Sequence, residues 1–101
     1  MRIAKIFIGI FLISRISLAQ NAVLEGFVRS GDKALAFASI VIDELNLART
    51  TNREGYFQFK DIPNGEYTLR VRLVGYEPYE QSVEVLHEKE NKLSIDLEED
   101  N

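Results

Sequence analysis

Residues 65–76 read Gly-Glu-Tyr-Thr-Leu-Arg-Val-Arg-Leu-Val-Gly-Tyr. Tyr67, Leu69, Val71 and Leu73 alternate with Glu66, Thr68, Arg70 and Arg72, so an extended chain here is apolar on one face and polar on the other. A period of two marks a half-buried antiparallel strand. Upstream, Phe57 and Phe59 keep the same period between Tyr56, Gln58 and Lys60; downstream, Val83 and Val85, then Leu93, Ile95 and Leu97, repeat it. Ile40-Val41-Ile42 is a run of three β-branched residues, the composition of a strand covered on both faces. Turn residues punctuate these rows at Ser30-Gly31-Asp32-Lys33, Asn52-Arg53-Glu54-Gly55, Pro63-Asn64-Gly65 and Gly75-Tyr76-Glu77-Pro78. Pro63 fixes φ, and Asn64-Gly65 favours the positive φ that closes a tight hairpin. Residues 86–92 hold helix formers without an apolar stripe and read as a charged loop. About seven short strands in so small a chain predict an all-β fold, a seven-stranded antiparallel β-sandwich.

The first 19 residues have another character. Arg2 and Lys5 are followed by eight apolar or glycine residues, Ile6 to Ile13, and then by the small residues of Ser17-Leu18-Ala19. This is the pattern of a secretory signal peptide, with cleavage expected between Ala19 and Gln20. A membrane-spanning helix would need about 20 apolar residues, and Arg15 interrupts the run well before that. The exported part then begins at Gln20 and carries one domain over residues 22–98, with an acidic tail at 99–101 expected to fray. The whole chain has 101 residues and a formal charge of −4. Loss of the leader removes three of its twelve cations and no acid, leaving nine against sixteen, or −7. Such a surface disfavours nucleic acid and anionic lipid as partners, and no membrane insertion is expected after cleavage. Without cysteine there is neither a lipoprotein acylation site nor a disulfide, so the core alone must hold the fold.

The residue inventory is poor in chemistry. His87 is the one histidine and sits in the polar stretch Leu86-His87-Glu88-Lys89-Glu90, where a solvated loop residue is expected. A zinc site of several histidine and glutamate ligands cannot be assembled from it. There is no thiol nucleophile, and no serine has an evident base partner. Asp43-Glu44 and Glu88/Glu90 lack the spacing and glycine turn of a calcium loop and read as solvated acids. No catalytic residue, metal or cofactor is therefore assigned. Tyr67 belongs to the inward row. Tyr76 and Tyr79 flank Pro78 at a strand end, where they either pack over the sandwich edge or contact a peptide or glycan.

Four motifs, Leu24-x-Gly26-x-Val28, Leu35-x-x-Ala38-x-Ile40-x-Ile42, Thr51-Asn52-x-x-Gly55-x-Phe57-x-Phe59 and Gly65-x-Tyr67-x-Leu69-x-Val71-x-x-x-Gly75-Tyr76, cover nearly all of residues 22–98. Together they resemble the carboxypeptidase-regulatory-like domain, a transthyretin-like (prealbumin-like) sandwich. Three positions depart from that family's usual pattern: Asn52 replaces an aspartate, Ala34 a proline and Phe37 a glycine. Asn52 can still form an Asx-turn, whereas Phe37 is bulkier than its position usually carries. The histidines and the Tyr-Arg-Gly-Ser ending of the purine-pathway hydrolase that shares the fold are absent. Lys33 and Lys60 fall at turn or exposed positions, which disfavours the Lys-Asn cross-link beside a buried acid that some related sandwiches carry. The resemblance implies a non-catalytic, exported interaction module. In bacterial envelopes such domains follow the signal peptide of TonB-dependent outer-membrane receptors, which implies a periplasmic location and an envelope protein or receptor component as partner. The alternative is a carbohydrate- or peptide-binding sandwich using Tyr76 and Tyr79.

Overall fold

The computed structural model describes residues 21–100, and the leader with its Ala19–Gln20 junction lies outside them. The strands are β1 (Asn21–Ser30), β2 (Lys33–Ala34), β3 (Ser39–Ile42), β4 (Leu47–Thr50), β5 (Tyr56–Pro63), β6 (Gly65–Arg72), β7 (Tyr79–Val85) and β8 (Asn91–Asp96), with one 3-10 turn at Asp43–Leu45. They form two four-stranded sheets. In the first, β1 is central, with β5 and the short β2 along one side and β8 on the other; in the second the order is β4-β3-β6-β7.

The alternating rows turn inward as the period of two requires. Leu24, Val28, Phe57, Phe59 and Ile95 from the first sheet meet Ile40, Ile42, Leu69, Val71 and Val85 from the second, all buried. Phe57 and Phe59 pack edge to face with ring centres 6.1 Å apart. Arg49 on the edge strand β4 lies over the Phe59 ring, 5.3 Å from its centre, and covers the rim of the core with a cation.

Four features depart from the sequence expectations. There are eight described strands rather than seven, because the two-residue β2 continues the edge that β5 leaves. The pairing is not wholly antiparallel: β8 runs parallel to β1, from Leu24↔Asn91 to Arg29↔Asp96. The chain leaves β7 at the end of the sandwich where β1 begins, so crossing to the first sheet there gives β8 the direction of β1. Gly26 permits the approach, since a Cβ there would run into the Leu93 carbonyl oxygen and the Phe57 ring.

The third departure concerns Pro63-Asn64-Gly65, which is a corner between sheets and not a hairpin: β5 pairs with β1, whereas β6 pairs with β3 and β7. No hairpin twist has to be matched, and positive φ falls instead at Asp61 (58°), in a bulge where β5 inserts one residue against β1 between Ala22 and Leu24. The bulge turns Ile62, rather than Asp61, into the core. The Tyr67 hydroxyl donates to the Pro63 carbonyl and pins the corner. Finally, Val41 is only partly buried between buried Ile40 and Ile42, so β3 alternates like the others.

Candidate functional site

One end of the sandwich is built from the chain between Ala34 and Ser39, the start of the β4–β5 connection, the turn after β6 and the last residues, 97–100. Thr51 organises it from beneath. Its side chain is 2% exposed, its hydroxyl donates to the Leu35 carbonyl (2.7 Å) and accepts from the Ala38 amide (2.8 Å), and its own amide donates to the Ala38 carbonyl (2.9 Å). The Phe37 amide donates to the Thr51 carbonyl at 3.0 Å. Asn52 forms the expected Asx-turn, its Oδ1 accepting from the amides of Glu54 and Tyr56.

Clamped in this way, Phe37 is held at φ 63° and is 72% exposed. The left-handed conformation costs a side-chain-bearing residue about 1–2 kcal/mol. The position suits glycine on conformational grounds, which accounts for the family's usual residue there. Phe37 thus combines a backbone cost with an aromatic ring left in water. Beside it the β6–β7 turn presents Val74 at its tip, 97% exposed, with Gly75 at φ 94°. Phe37, Val74, Leu73, Tyr76 and Pro78, with Ser39 and Arg72, line an open groove of about 410 Å³.

Tyr76 and Tyr79 are both half-buried against the core, but Pro78 separates them. Tyr76 faces the groove with Phe37, while Tyr79 lines a second concavity with Glu77, Asp96, Leu97 and Glu98, and its hydroxyl donates to Gln81. The acidic tail is hydrogen-bonded over its described residues. Glu99 bridges to Tyr76, the Glu77 amide donates to the Glu98 carbonyl and the Asp100 amide to the Gly75 carbonyl.

The remaining candidates have structural work. His87 lies in the β7–β8 loop, its amide donating to Asn64 Oδ1 at 2.8 Å. Asp43 and Glu44 are bonded rather than simply solvated: Asp43 pairs with Arg70 at 2.8 Å, and Glu44 accepts from both the amide and the hydroxyl of Thr68. Those bonds, the amide first, hold the Glu44 carboxyl below its usual pKa. Lys33 and Lys60 are exposed. On the outer face of the first sheet, the Tyr56 hydroxyl donates to Glu25, which pushes its pKa up, and the ring packs 5.3 Å from Phe27. Among the described residues no three histidine, aspartate or glutamate side chains converge as metal ligands would, and no helix is long and apolar enough to cross a membrane.

Phe37, Val74 and Arg72 did not emerge from the sequence as site residues. The usable signal was the replacement of glycine by phenylalanine: a glycine position in a turn often demands positive φ, and a large residue there is exposed or strained.

No curated protein matches the chain. Among solved structures, the fold is similar to that of a chain from a type II cohesin–X-dockerin complex of Acetivibrio cellulolyticus. The TM-score is 0.63 and the identity 22% over 73% of this chain, which spans about half (52%) of that one. The CarboxypepD_reg-like domain family matches residues 24–101, including every strand from the fourth residue of β1 onward. The chain is therefore a member of the CarboxypepD_reg-like domain family, built as a two-sheet β-sandwich.

Proposed function

We propose that this chain is a non-catalytic protein-interaction module of the cell envelope, exported by residues 1–19 and working in the periplasm beside a TonB-dependent outer-membrane receptor. The observation that carries the interaction reading is the distribution of apolar surface. A small sandwich with a well-filled core leaves Phe37 and Val74 in water side by side at one end, where nothing in the fold needs them exposed. Family membership and a related fold found in a chain of a cohesin–X-dockerin complex support a role in holding another protein. The leader pattern and the acidic exported domain support the location.

The test is site-specific photo-cross-linking in envelope fractions, with the cross-linker placed at Val74 and, as control, at Lys60 on the opposite sheet. The expected product is one discrete adduct from position 74 containing an outer-membrane receptor. Equal labelling from both positions would overturn the interaction reading, and an adduct with a cytosolic protein would overturn the location. Glycan binding through Tyr76 would appear instead as a saturable oligosaccharide titration lost in Tyr76→Ala.

A further inference from the structure

We infer that the groove walled by Phe37, Val74, Tyr76 and Pro78 receives an extended segment of a partner protein in which a bulky apolar side chain stands next to an acidic one. The inference rests on the interaction reading above and names the chemistry of the partner.

Two independent observations support it. The first is Phe37. A glycine would satisfy φ 63° at no steric cost, yet the chain holds an exposed phenylalanine there, fixed by the buried Thr51 clamp. The clamp fixes the backbone that carries the ring, so the side chain leaves the loop on the groove side. An exposed aromatic on a fixed backbone beside Val74 and Pro78 is suited to an apolar side chain.

The second is charge. Arg70 and Arg72 lie on the same face of β6, two residues apart. Arg70 is neutralised by Asp43, whereas Arg72 forms no ion pair among the described residues, in a chain where acids outnumber bases. Arg72 is also the one charged side chain lining the groove. The nearby carboxylates of Glu77 and Glu98 line the concavity beyond Pro78. An apolar residue in the groove would thus bring its neighbour to an unpaired guanidinium, which selects a carboxylate.

Amide chemical shifts of the labelled protein, titrated with three blocked peptides, test this. They are Gly-Asp-Leu-Asp-Gly, Gly-Lys-Leu-Lys-Gly and Gly-Asp-Ser-Asp-Gly. Shifts are expected at residues 37, 39 and 72–76, with the Asp-Leu peptide bound at least about threefold more tightly than the Lys-Leu one, as a single surface ion pair allows. Replacement of leucine by serine should weaken binding about tenfold through lost apolar burial. Phe37→Gly should melt at a higher temperature and still bind the Asp-Leu peptide about tenfold more weakly, an outcome that misfolding cannot produce. Arg72→Gln should erase the preference between the acidic and basic peptides. The inference is overturned by absence of shifts at millimolar peptide, by preference for the lysine peptide, or by undiminished binding to Phe37→Gly. A discrete envelope adduct that Phe37→Gly leaves unchanged would overturn the groove and keep the interaction reading. Peptide binding as expected, with equal cross-linking from positions 74 and 60, would do the reverse.

Discussion

The two ends of this sandwich are finished by opposite means. Where β1 begins, polar side chains close the structure from outside. Glu44 meets the Thr68 amide that β3 leaves unpaired, Asn64 takes the His87 amide, and Asn91 accepts from the Leu86 amide while donating to the carbonyls of Leu86 and Lys89. Where β1 ends, the buried Thr51 secures the loop before β3 from inside, and Phe37 and Val74 stand exposed beside the carboxylates of Glu77 and Glu98. Both ends meet the requirement that backbone polar groups be paired. Only the second leaves large apolar residues in water, and that difference is what the proposed interaction rests on.

If the buried clamp holds the groove end, Thr51→Val should have the largest effect. Valine keeps the shape but leaves the Ala38 amide and the Leu35 carbonyl without partners, at an expected cost of about 3 kcal/mol. Urea unfolding measures it, and a loss below about 1 kcal/mol would mean that the loop supports itself. Asn91→Ala tests the other end. It removes three bonds around the β7–β8 loop and should cost about 2 kcal/mol, with faster amide exchange at residues 86–89. Exchange changes spreading to residues 35–38 would show that the two ends are coupled, against the separation drawn here.

How much of this was legible in the sequence follows the range of each interaction. The inward rows of β5, β6, β7 and β8 follow from side-chain alternation, which is local, and Tyr67 was placed correctly in the core for that reason. The corner at Pro63-Asn64-Gly65 looked like a hairpin because a turn signal does not say which sheet the next strand joins. The parallel β1–β8 pair was invisible for the same reason, with Gly26 as its one local trace. Asp43 and Glu44 read as solvated acids because their partners, Arg70 and Thr68, are more than twenty residues away. At the groove end the tyrosines stand out by type, although the structure sets them in different concavities, while Phe37 stands out only as a departure from a family pattern.

The sign of the next effect sharpens the contrast. Phe37→Gly removes the left-handed cost and should stabilise the protein by about 1 kcal/mol, whereas the same change at a well-packed aromatic would destabilise it. Thermal unfolding of the variant gives the answer. A lower melting temperature would assign Phe37 to packing and bring the two ends closer in kind.

The smallest effect belongs to Glu44 and is seen through pH. Its folded pKa lies below the unfolded one because the charged carboxylate accepts from the Thr68 amide and hydroxyl. A depressed carboxyl pKa means that folding favours the charged form, so the contribution is fully present above the unfolded glutamate value and fades as pH falls through the folded one. Glu44→Gln retains an acceptor oxygen but cannot ionise, so its stability should fall less steeply with acid. Urea midpoints of the two proteins should therefore differ by a constant amount at neutral pH and converge below the ordinary glutamate range. Parallel curves at all pH values would mean that the Thr68 bonds do not depend on charge, and that this end is closed by shape rather than by its carboxylates.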